Sequence, residues 1–275
     1  MPGRSEALGR VATWPVDHAA AVALGRDGDP AFAGEVDRTF ELASVTKLLT
    51  AAAVLVAVQE EVVALDDPAG PAGSTVAHLL AHASGLAPEG RDPMAAPGTR
   101  RIYSNAGFDL LGELVEAAAG MPFAAYLDAA VLEPLAMAST VLDGSPARAA
   151  RSTARDLARF ARELLAPGRV LDPATVEQAT RPVLADLSGV LPGYGRQDPN
   201  PWGLGFEIRG TKAPHWTPPT ASARTFGHFG QSGTFLWVDP DPGVALVALT
   251  DRAFGEWAVE AWPELGVAVL AAEEA

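Results

Sequence analysis

The segment from Ser44 to Val58, SVTKLLTAAAVLVAV, limits more than any other how this chain can fold. It contains neither glycine nor proline, and Lys47 is its one charged residue. Such a run predicts a helix without a polar face, and a helix that is apolar all round has to be enclosed by other elements. We therefore expect it to pass through the middle of the molecule, with the remainder of the 275 residues packed around it.

Strand patterns occur on both sides of this helix in the sequence, and further helices lie between them. The predicted strands are a strand–turn–strand unit within Asp17–Glu41, followed much later by Gly203–Arg209, Arg224–Phe229, Gly233–Val238 and Val244–Thr250. The predicted helices are Thr75–Ala83, Asn105–Ala119, Phe123–Val131, Ala154–Leu165, Pro173–Ala179 and Glu256–Ala271. This order predicts an α+β fold, in which an antiparallel sheet from both chain ends is flanked by helices and carries an all-α insertion.

The chain length predicts a single domain, residues 1–275, made of two regions. The α/β region would comprise approximately residues 1–60 and 200–275, and the helical region approximately residues 61–199. The link from Asp186 to Pro201 is rich in glycine and proline and is expected to be irregular. An active site would lie in the groove between the two regions.

Composition and charge argue against several classes of function. The chain has 34 acidic and 20 basic residues, a formal net charge of −14, which disfavours binding to nucleic acid or to an anionic membrane. The absence of cysteine excludes disulfides and thiolate metal sites. Met1–Pro15 has no apolar run of signal-peptide length and no stretch reaches membrane-spanning length, so we expect a cytoplasmic protein without a membrane partner.

Ser44 and Lys47 form the sharpest candidate for chemistry. Residues three apart at the start of a helix share nearly one face, so the hydroxyl can meet the amine. A serine needs a base, and a lysine serves only when neutral, which costs about 4–5 kcal/mol at pH 7 from its reference pKa. The apolar run that follows would supply burial that lowers this cost. On these residues alone, an N-cap serine beside a solvated lysine remains an alternative.

Two later segments carry groups that suit the same chemistry. Tyr103 could relay a proton, and the Asn105 amide could anchor a lysine and hold a substrate carbonyl. His228 could donate to a substrate or add positive potential near Lys47. Gly230 at a strand edge would let an acyl group lie against the backbone. Taken singly, the first segment is better explained by a helix cap with Tyr103 packed beside it, and the second is fully explained by a histidine at a strand end.

The three candidate segments lie within longer stretches of the sequence, and two further stretches lie between them. They are Phe40–Lys47 (FELASVTK), His78–Leu86 (HLLAHASGL), Pro97–Asn105 with Leu110–Gly112, Trp202–Phe206 (WGLGF) and Gly227–Gly230 (GHFG). Together they resemble the class C β-lactamase-like serine hydrolases, which include class C β-lactamases, D-alanyl-D-alanine carboxypeptidases and family VIII esterases. The resemblance accounts for His82 without a metal, and His78 lacks the following glutamate of H-E-x-x-H, so we expect no metal or other cofactor.

The resemblance implies a catalytic set and a substrate-binding set. The catalytic set comprises the nucleophile, its base partner and a proton relay, namely Ser44, Lys47 and Tyr103. The substrate-binding set comprises a residue that orients lysine and substrate, two strand-edge residues and a second oxyanion donor beside the Ser44 N–H, namely Asn105, His228, Gly230 and Gln231. The implied fold is of the β-lactamase/transpeptidase type.

Phe229 departs from the family, which usually has a hydroxyl residue there, and so removes a hydrogen bond to the carboxylate of a β-lactam or peptide. We therefore predict a serine hydrolase that acts on an ester or amide carbonyl of a small acyl substrate through a Ser44 acyl-enzyme, most simply an esterase. The alternatives are a β-lactamase or D-alanyl-D-alanine carboxypeptidase, an acyltransferase, and a penicillin-binding sensor or pseudoenzyme without turnover. The natural substrate and the oligomeric state stay open.

Overall fold

The computed structural model describes residues 3–273. Its helices are α1 Arg4–Leu8, α2 Thr46–Gln59, α3 Val76–Leu80, α4 Asn105–Ala119, α5 Phe123–Leu127, α6 Ala154–Leu165, α7 Pro173–Ala179 and α8 Glu256–Glu273. Its strands are β1 Ala19–Gly25, β2 Ala31–Gly34, β3 Phe40–Glu41, β4 Val141–Leu142, β5 Ala150–Ser152, β6 Gly189–Leu191, β7 Gly195–Gln197, β8 Glu207–Ile208, β9 Phe226–Gly230, β10 Thr234–Asp239 and β11 Val244–Thr250. Two 3₁₀ turns, Gly9–Thr13 and Ala43–Val45, and a π-helical turn, Asp128–Leu132, complete the regular structure of this range.

The main sheet has six strands in the order β2-β1-β11-β10-β9-β8, and every neighbouring pair is antiparallel. The strand β1 comes from the beginning of the chain, and it pairs over its full length with β11 from the end. The α+β prediction, with a sheet formed from both chain ends, is therefore confirmed. The boundaries of the two predicted regions stay a prediction.

Both faces of this sheet are covered, which explains why its strands read as continuous apolar runs. In β11, Val247 and Leu249 face the core that contains α2, whereas Leu246 and Ala248 face a second core with α1 and α8. Successive side chains of a strand point to opposite faces, so a sheet packed on both sides needs apolar residues at every position. All seven residues of β11 are buried.

The helix α2 runs through the larger core, as its sequence predicts. Every residue from Thr46 to Ala57 is buried. Its two threonines have partners for their hydroxyls, because Thr46 Oγ1 accepts from the Ala150 N–H at 3.0 Å and Thr50 Oγ1 donates to the Pro146 carbonyl at 2.7 Å. The segment that follows β4 and leads into β5 therefore packs along the first turn of α2.

Several elements differ from the sequence-based expectations; for example, the helix expected over Thr75–Ala83 is reduced to α3. The link 186–201 contains the β6–β7 hairpin, which turns through glycines with positive φ at Gly193 and Gly195. The strand expected from Gly203 is reduced to β8, because Gly205 turns with φ +91° and its N–H donates to the Leu80 carbonyl at 3.1 Å. The helix predicted over Phe123–Val131 changes to a π-helical turn after Leu127.

No single helix within residues 3–273 is long and apolar enough to cross a membrane. The helices Asn105–Ala119 and Phe123–Leu132 reach such a length and apolar composition only as a pair, which is bent by 82°.

Candidate active site

Ser44 lies in the 3₁₀ turn Ala43–Val45, immediately before α2. Ala43 has φ +44°, a left-handed conformation that costs a residue with a Cβ about 1–3 kcal/mol. The serine does not cap the helix, since the N-cap residue of α2 is Val45. The end of β9 presses against this turn, and a Cβ at Gly230 would lie 2.3 Å from the Leu42 carbonyl oxygen. Glycine at 230 therefore permits the close approach of strand and turn.

Lys47 is the second residue of α2, three residues after Ser44, and is completely buried. Its Nζ lies 3.2 Å from Ser44 Oγ, 2.7 Å from Asn105 Oδ1 and 2.9 Å from the Ala147 carbonyl oxygen. Burial lowers the pKa of Lys47 to about 7, with Asp109 acting to raise it and Arg148 to lower it. The amine is therefore substantially unprotonated at neutral pH.

Tyr103 reaches the same serine from the loop before α4. Its hydroxyl is 2.7 Å from Ser44 Oγ and 3.3 Å from His228 Nε2. Burial raises the pKa of Tyr103 above its ordinary value, so the phenol stays protonated. Between the phenol and Lys47, the lysine is the better proton acceptor at neutral pH.

His82 holds the backbone on both sides of Tyr103. The Ile102 N–H donates to the His82 carbonyl at 2.9 Å, and the Ser104 N–H donates to His82 Nδ1 at 3.1 Å. The His82 ring also packs on the Tyr103 ring, with centroids 4.6 Å apart. His78 has a separate role, since it forms a capping box with Thr75 at the start of α3.

His228 lies on β9 and is buried. Its Nδ1 is 2.6 Å from the Phe229 carbonyl oxygen, which only accepts, so Nδ1 carries the proton and Nε2 presents a lone pair to Tyr103. Burial lowers the pKa of His228 to about 3, and the nearby Lys47 adds to this effect. The imidazole is therefore neutral at pH 7 and supplies no positive potential, which leaves hydrogen bonding as its contribution.

A small cavity of about 110 Å³ lies over Ser44. It is lined by five of the seven candidate site residues, namely Ser44, Tyr103, Asn105, His228 and Gln231, together with Leu191, Pro192, Trp202, Glu207 and Phe229. Lys47 and Gly230 lie behind this lining. All seven candidate residues therefore meet at one place, although they come from α2, α4, β9 and the loops beside them.

Sequence reasoning missed a buried ionic cluster beside this cavity. Glu207 on β8 accepts hydrogen bonds from Lys212 Nζ at 2.8 Å, His215 Nε2 at 2.8 Å and Trp216 Nε1 at 2.9 Å. Burial alone would raise the pKa of Glu207, but Lys212 and then His215 outweigh it, and the pKa falls well below its usual range. The only sequence signal was one carboxylate inside the apolar GLGFEIR run, and its partners lie in a loop without a motif.

Similarity to known proteins agrees with this geometry. A protein-family model described as Beta-lactamase matches residues 16–270. The chain belongs to the beta-lactamase family. Its fold is that of a beta-lactamase-family serine hydrolase, which matches the resemblance and the fold inferred from the sequence.

Three known proteins are similar to this chain to different degrees. A crystal structure of a beta-lactamase from Mycobacterium bovis is 54% identical, has a TM-score of 0.95, and the match covers 97% of this chain and 99% of that one. EstCE1, a hydrolase with promiscuous acyltransferase activity, shares the fold with this chain at 18% identity, with a TM-score of 0.78 and 97% coverage of both chains.

The third relative is the D-alanyl-D-alanine-carboxypeptidase/endopeptidase AmpH of Escherichia coli K12, which is 27% identical over 149 residues. That match covers 41% of this chain and 39% of AmpH, so the chain spans well under half of the length of this relative.

Proposed function

We propose that this protein hydrolyses small, uncharged carboxylic esters through an acyl-enzyme on Ser44. The observation that carries this proposal is the lining of the cavity over Ser44, where none of the described lining residues is a lysine or an arginine. His228 is neutral, because burial lowers its pKa to about 3. A substrate carboxylate would therefore meet no cation in the cavity, and the net charge of −14 opposes its approach.

The hydrogen bonds of Lys47 support its role as the base. A neutral amine has two N–H groups and one lone pair. Asn105 Oδ1 and the Ala147 carbonyl oxygen can only accept, so they take the two N–H groups. The lone pair is then left for the hydroxyl of Ser44, the third close neighbour at 3.2 Å.

The proposed reaction has two steps. Ser44 Oγ attacks the ester carbonyl while its proton passes to Lys47, and the backbone N–H groups of Ser44 and Gln231 stabilise the oxyanion. The C–O bond to the leaving group then breaks, and a proton reaches the departing alkoxide through Lys47 and Tyr103. Water attacks the acyl-enzyme along the same relay and releases the acid. The free energy for this arrangement comes from folding, which holds the groups in place before substrate binds.

The cavity size further restricts the substrate. A volume of about 110 Å³ accommodates roughly four water-sized groups. We therefore expect p-nitrophenyl acetate to pentanoate to be accepted and p-nitrophenyl decanoate to be a poor substrate.

The test is Ser44→Ala, assayed with p-nitrophenyl butyrate and by intact-mass spectrometry after a fluorophosphonate. We expect turnover to fall by about 10⁴-fold or more, and the adduct to disappear, because the nucleophile is gone. Ser74→Ala is the matched control, since Ser74 is buried away from the site and should retain both. Retained ester turnover in Ser44→Ala would show that another group attacks the ester.

The alternatives give different results with the wild-type protein. Faster turnover of nitrocefin than of any ester would indicate a β-lactamase. Preferential transfer of the acyl group to an added alcohol would indicate an acyltransferase. A stable Ser44 adduct without turnover would indicate a sensor.

A further inference from the structure

Glu89 connects the two groups that accept hydrogen bonds from Lys47. Its Oε1 accepts from Asn105 Nδ2 at 2.6 Å and from Arg148 NH1 at 2.9 Å. Asn105 supplies one acceptor to Lys47 through Oδ1. The residue before Arg148 in the chain, Ala147, supplies the other acceptor through its carbonyl oxygen.

These contacts close a ring. It runs from Lys47 through the Asn105 amide to Glu89, from Glu89 through Arg148 to the backbone of Ala147, and from Ala147 back to Lys47. The ring matters for Asn105 because its amide can rotate. A rotated amide would turn an N–H, in place of Oδ1, toward the amine of Lys47, and the carboxylate of Glu89 opposes this because it can only accept.

We infer that Glu89 is a positioning residue, which holds the two acceptors of Lys47 so that the lysine lone pair points at Ser44. Glu89 itself lies outside the cavity and is largely exposed, with 62% of its side-chain surface accessible. It acts through Asn105 and Arg148, and it is not itself one of the residues that line the cavity. This inference rests on the proposed role of Lys47 as the base.

Charge and orientation have separable effects on Lys47. The charged groups that face its amine are Asp109 on α4, Arg148 before β5 and Glu89 before α4. The Glu89 carboxylate raises the pKa of Lys47, and the Arg148 guanidinium lowers it. Removing Glu89 or Arg148 should therefore shift the pH profile in opposite directions, whereas both changes open the same ring.

The experiment compares Glu89→Ala, Glu89→Gln and Arg148→Ala by ester hydrolysis and by the maximal rate at which a fluorophosphonate labels Ser44. Glu89→Ala should lower kcat and the labelling rate by about tenfold, with KM little changed, because a charge-assisted contact that positions the base is lost. Glu89→Gln should recover most of that rate, since its amide oxygen still accepts from Asn105 and Arg148. The rate should fall at acid pH as Lys47 is protonated, and we call this fall the acid limb of the pH profile. In both variants the acid limb should move to lower pH.

Arg148→Ala should also slow both reactions, but with the acid limb moved to higher pH, and its combination with Glu89→Ala should be less than additive. Glu113→Ala is the matched control, because Glu113 is an exposed carboxylate that pairs with Arg91. It should leave both rates unchanged.

If Glu89→Ala keeps the wild-type kcat and labelling rate at pH values above the acid limb, the inference is overturned. If esters are not hydrolysed but Ser44 is labelled, and labelled more slowly in Glu89→Ala, the proposed function fails while the role of Glu89 stands. If esters are hydrolysed equally by wild type and Glu89→Ala, the role of Glu89 fails while the proposed function stands.

Discussion

Lys47 and Lys212 are both enclosed by the protein, with 0% and 3% of their surfaces exposed, but they have different partners. Lys47 Nζ contacts three uncharged groups, which are the Ser44 hydroxyl and the oxygens of Asn105 and Ala147. Lys212 Nζ contacts the Glu207 carboxylate at 2.8 Å. Both clusters lie beside the same cavity, so the comparison isolates the effect of the counter-ion.

Burial lowers the pKa of both lysines, because it disfavours the charged form. For Lys47 the pKa falls to about 7. For Lys212 the Glu207 carboxylate opposes the shift, and its own pKa is held well below the usual range. A buried lysine without a carboxylate contact can therefore serve as a base, whereas one with such a contact is the cation of a structural ion pair.

For these two lysines, the largest expected effect is the loss of activity in Lys47→Met. We expect kcat/KM for ester hydrolysis to fall by about 10²–10⁴-fold, because the general base is removed while the shape of the side chain is largely kept. Rates measured well above and well below pH 7 would both be low. Ester hydrolysis at the wild-type rate would show that another group deprotonates Ser44.

The same variant should be more stable than the wild type. The folded pKa of Lys47, about 7, lies below the reference value of 10.5, so the unfolded chain binds more protons between these pH values and stability rises with pH. At pH 7 this difference in pKa destabilises the folded wild type by up to about 4 kcal/mol. The gain in Lys47→Met is smaller than that, because the oxygens of Asn105 and Ala147 lose the hydrogen bonds that Lys47 donates. Urea unfolding at pH 7 and pH 9 measures this, and the gain should be smaller at pH 9.

Lys212→Met should act in the opposite direction. Glu207 would be left buried with its main counter-ion gone, and we expect the free energy of unfolding to fall by about 3–5 kcal/mol. Adding Glu207→Gln removes the unpaired charge and should recover most of this loss, because the amide oxygen can still accept from His215. Equal instability of the single and double variants would show that packing, and not charge, determines the effect.

The smallest expected effect concerns the pH profile. We expect kcat/KM of the wild type to fall about tenfold per unit below pH 7, as Lys47 is protonated, and to level off above it. Asp109 raises the pKa of Lys47, so Asp109→Asn should move the acid limb to lower pH and raise the rate at pH 6 by less than about tenfold.

Asp143→Asn is the control for that change, because Asp143 is an exposed carboxylate with 85% of its side chain accessible. Its profile should coincide with that of the wild type. An acid limb that does not move in Asp109→Asn would contradict the assignment of this limb to Lys47.

Much of the fold was predictable because the patterns that define it are local. The bounds of α4, α6, α7 and β11 agree with the sequence-based prediction residue for residue. The β6–β7 hairpin and the short β8 were not, since glycine turns interrupt the apolar periodicity there. The candidate catalytic residues were found through motifs, whereas Glu89, Glu207 and Lys212 belong to none.

The sequence by itself determined that Ser44 and Lys47 share one face at the start of a buried helix, because a spacing of three residues and an apolar run are local properties. The tertiary structure alone decided what that lysine meets. Two uncharged oxygens face Lys47, whereas a carboxylate faces Lys212. The pKa of a buried amine depends on charges within a few ångströms, and those charges are brought there by residues distant in the chain.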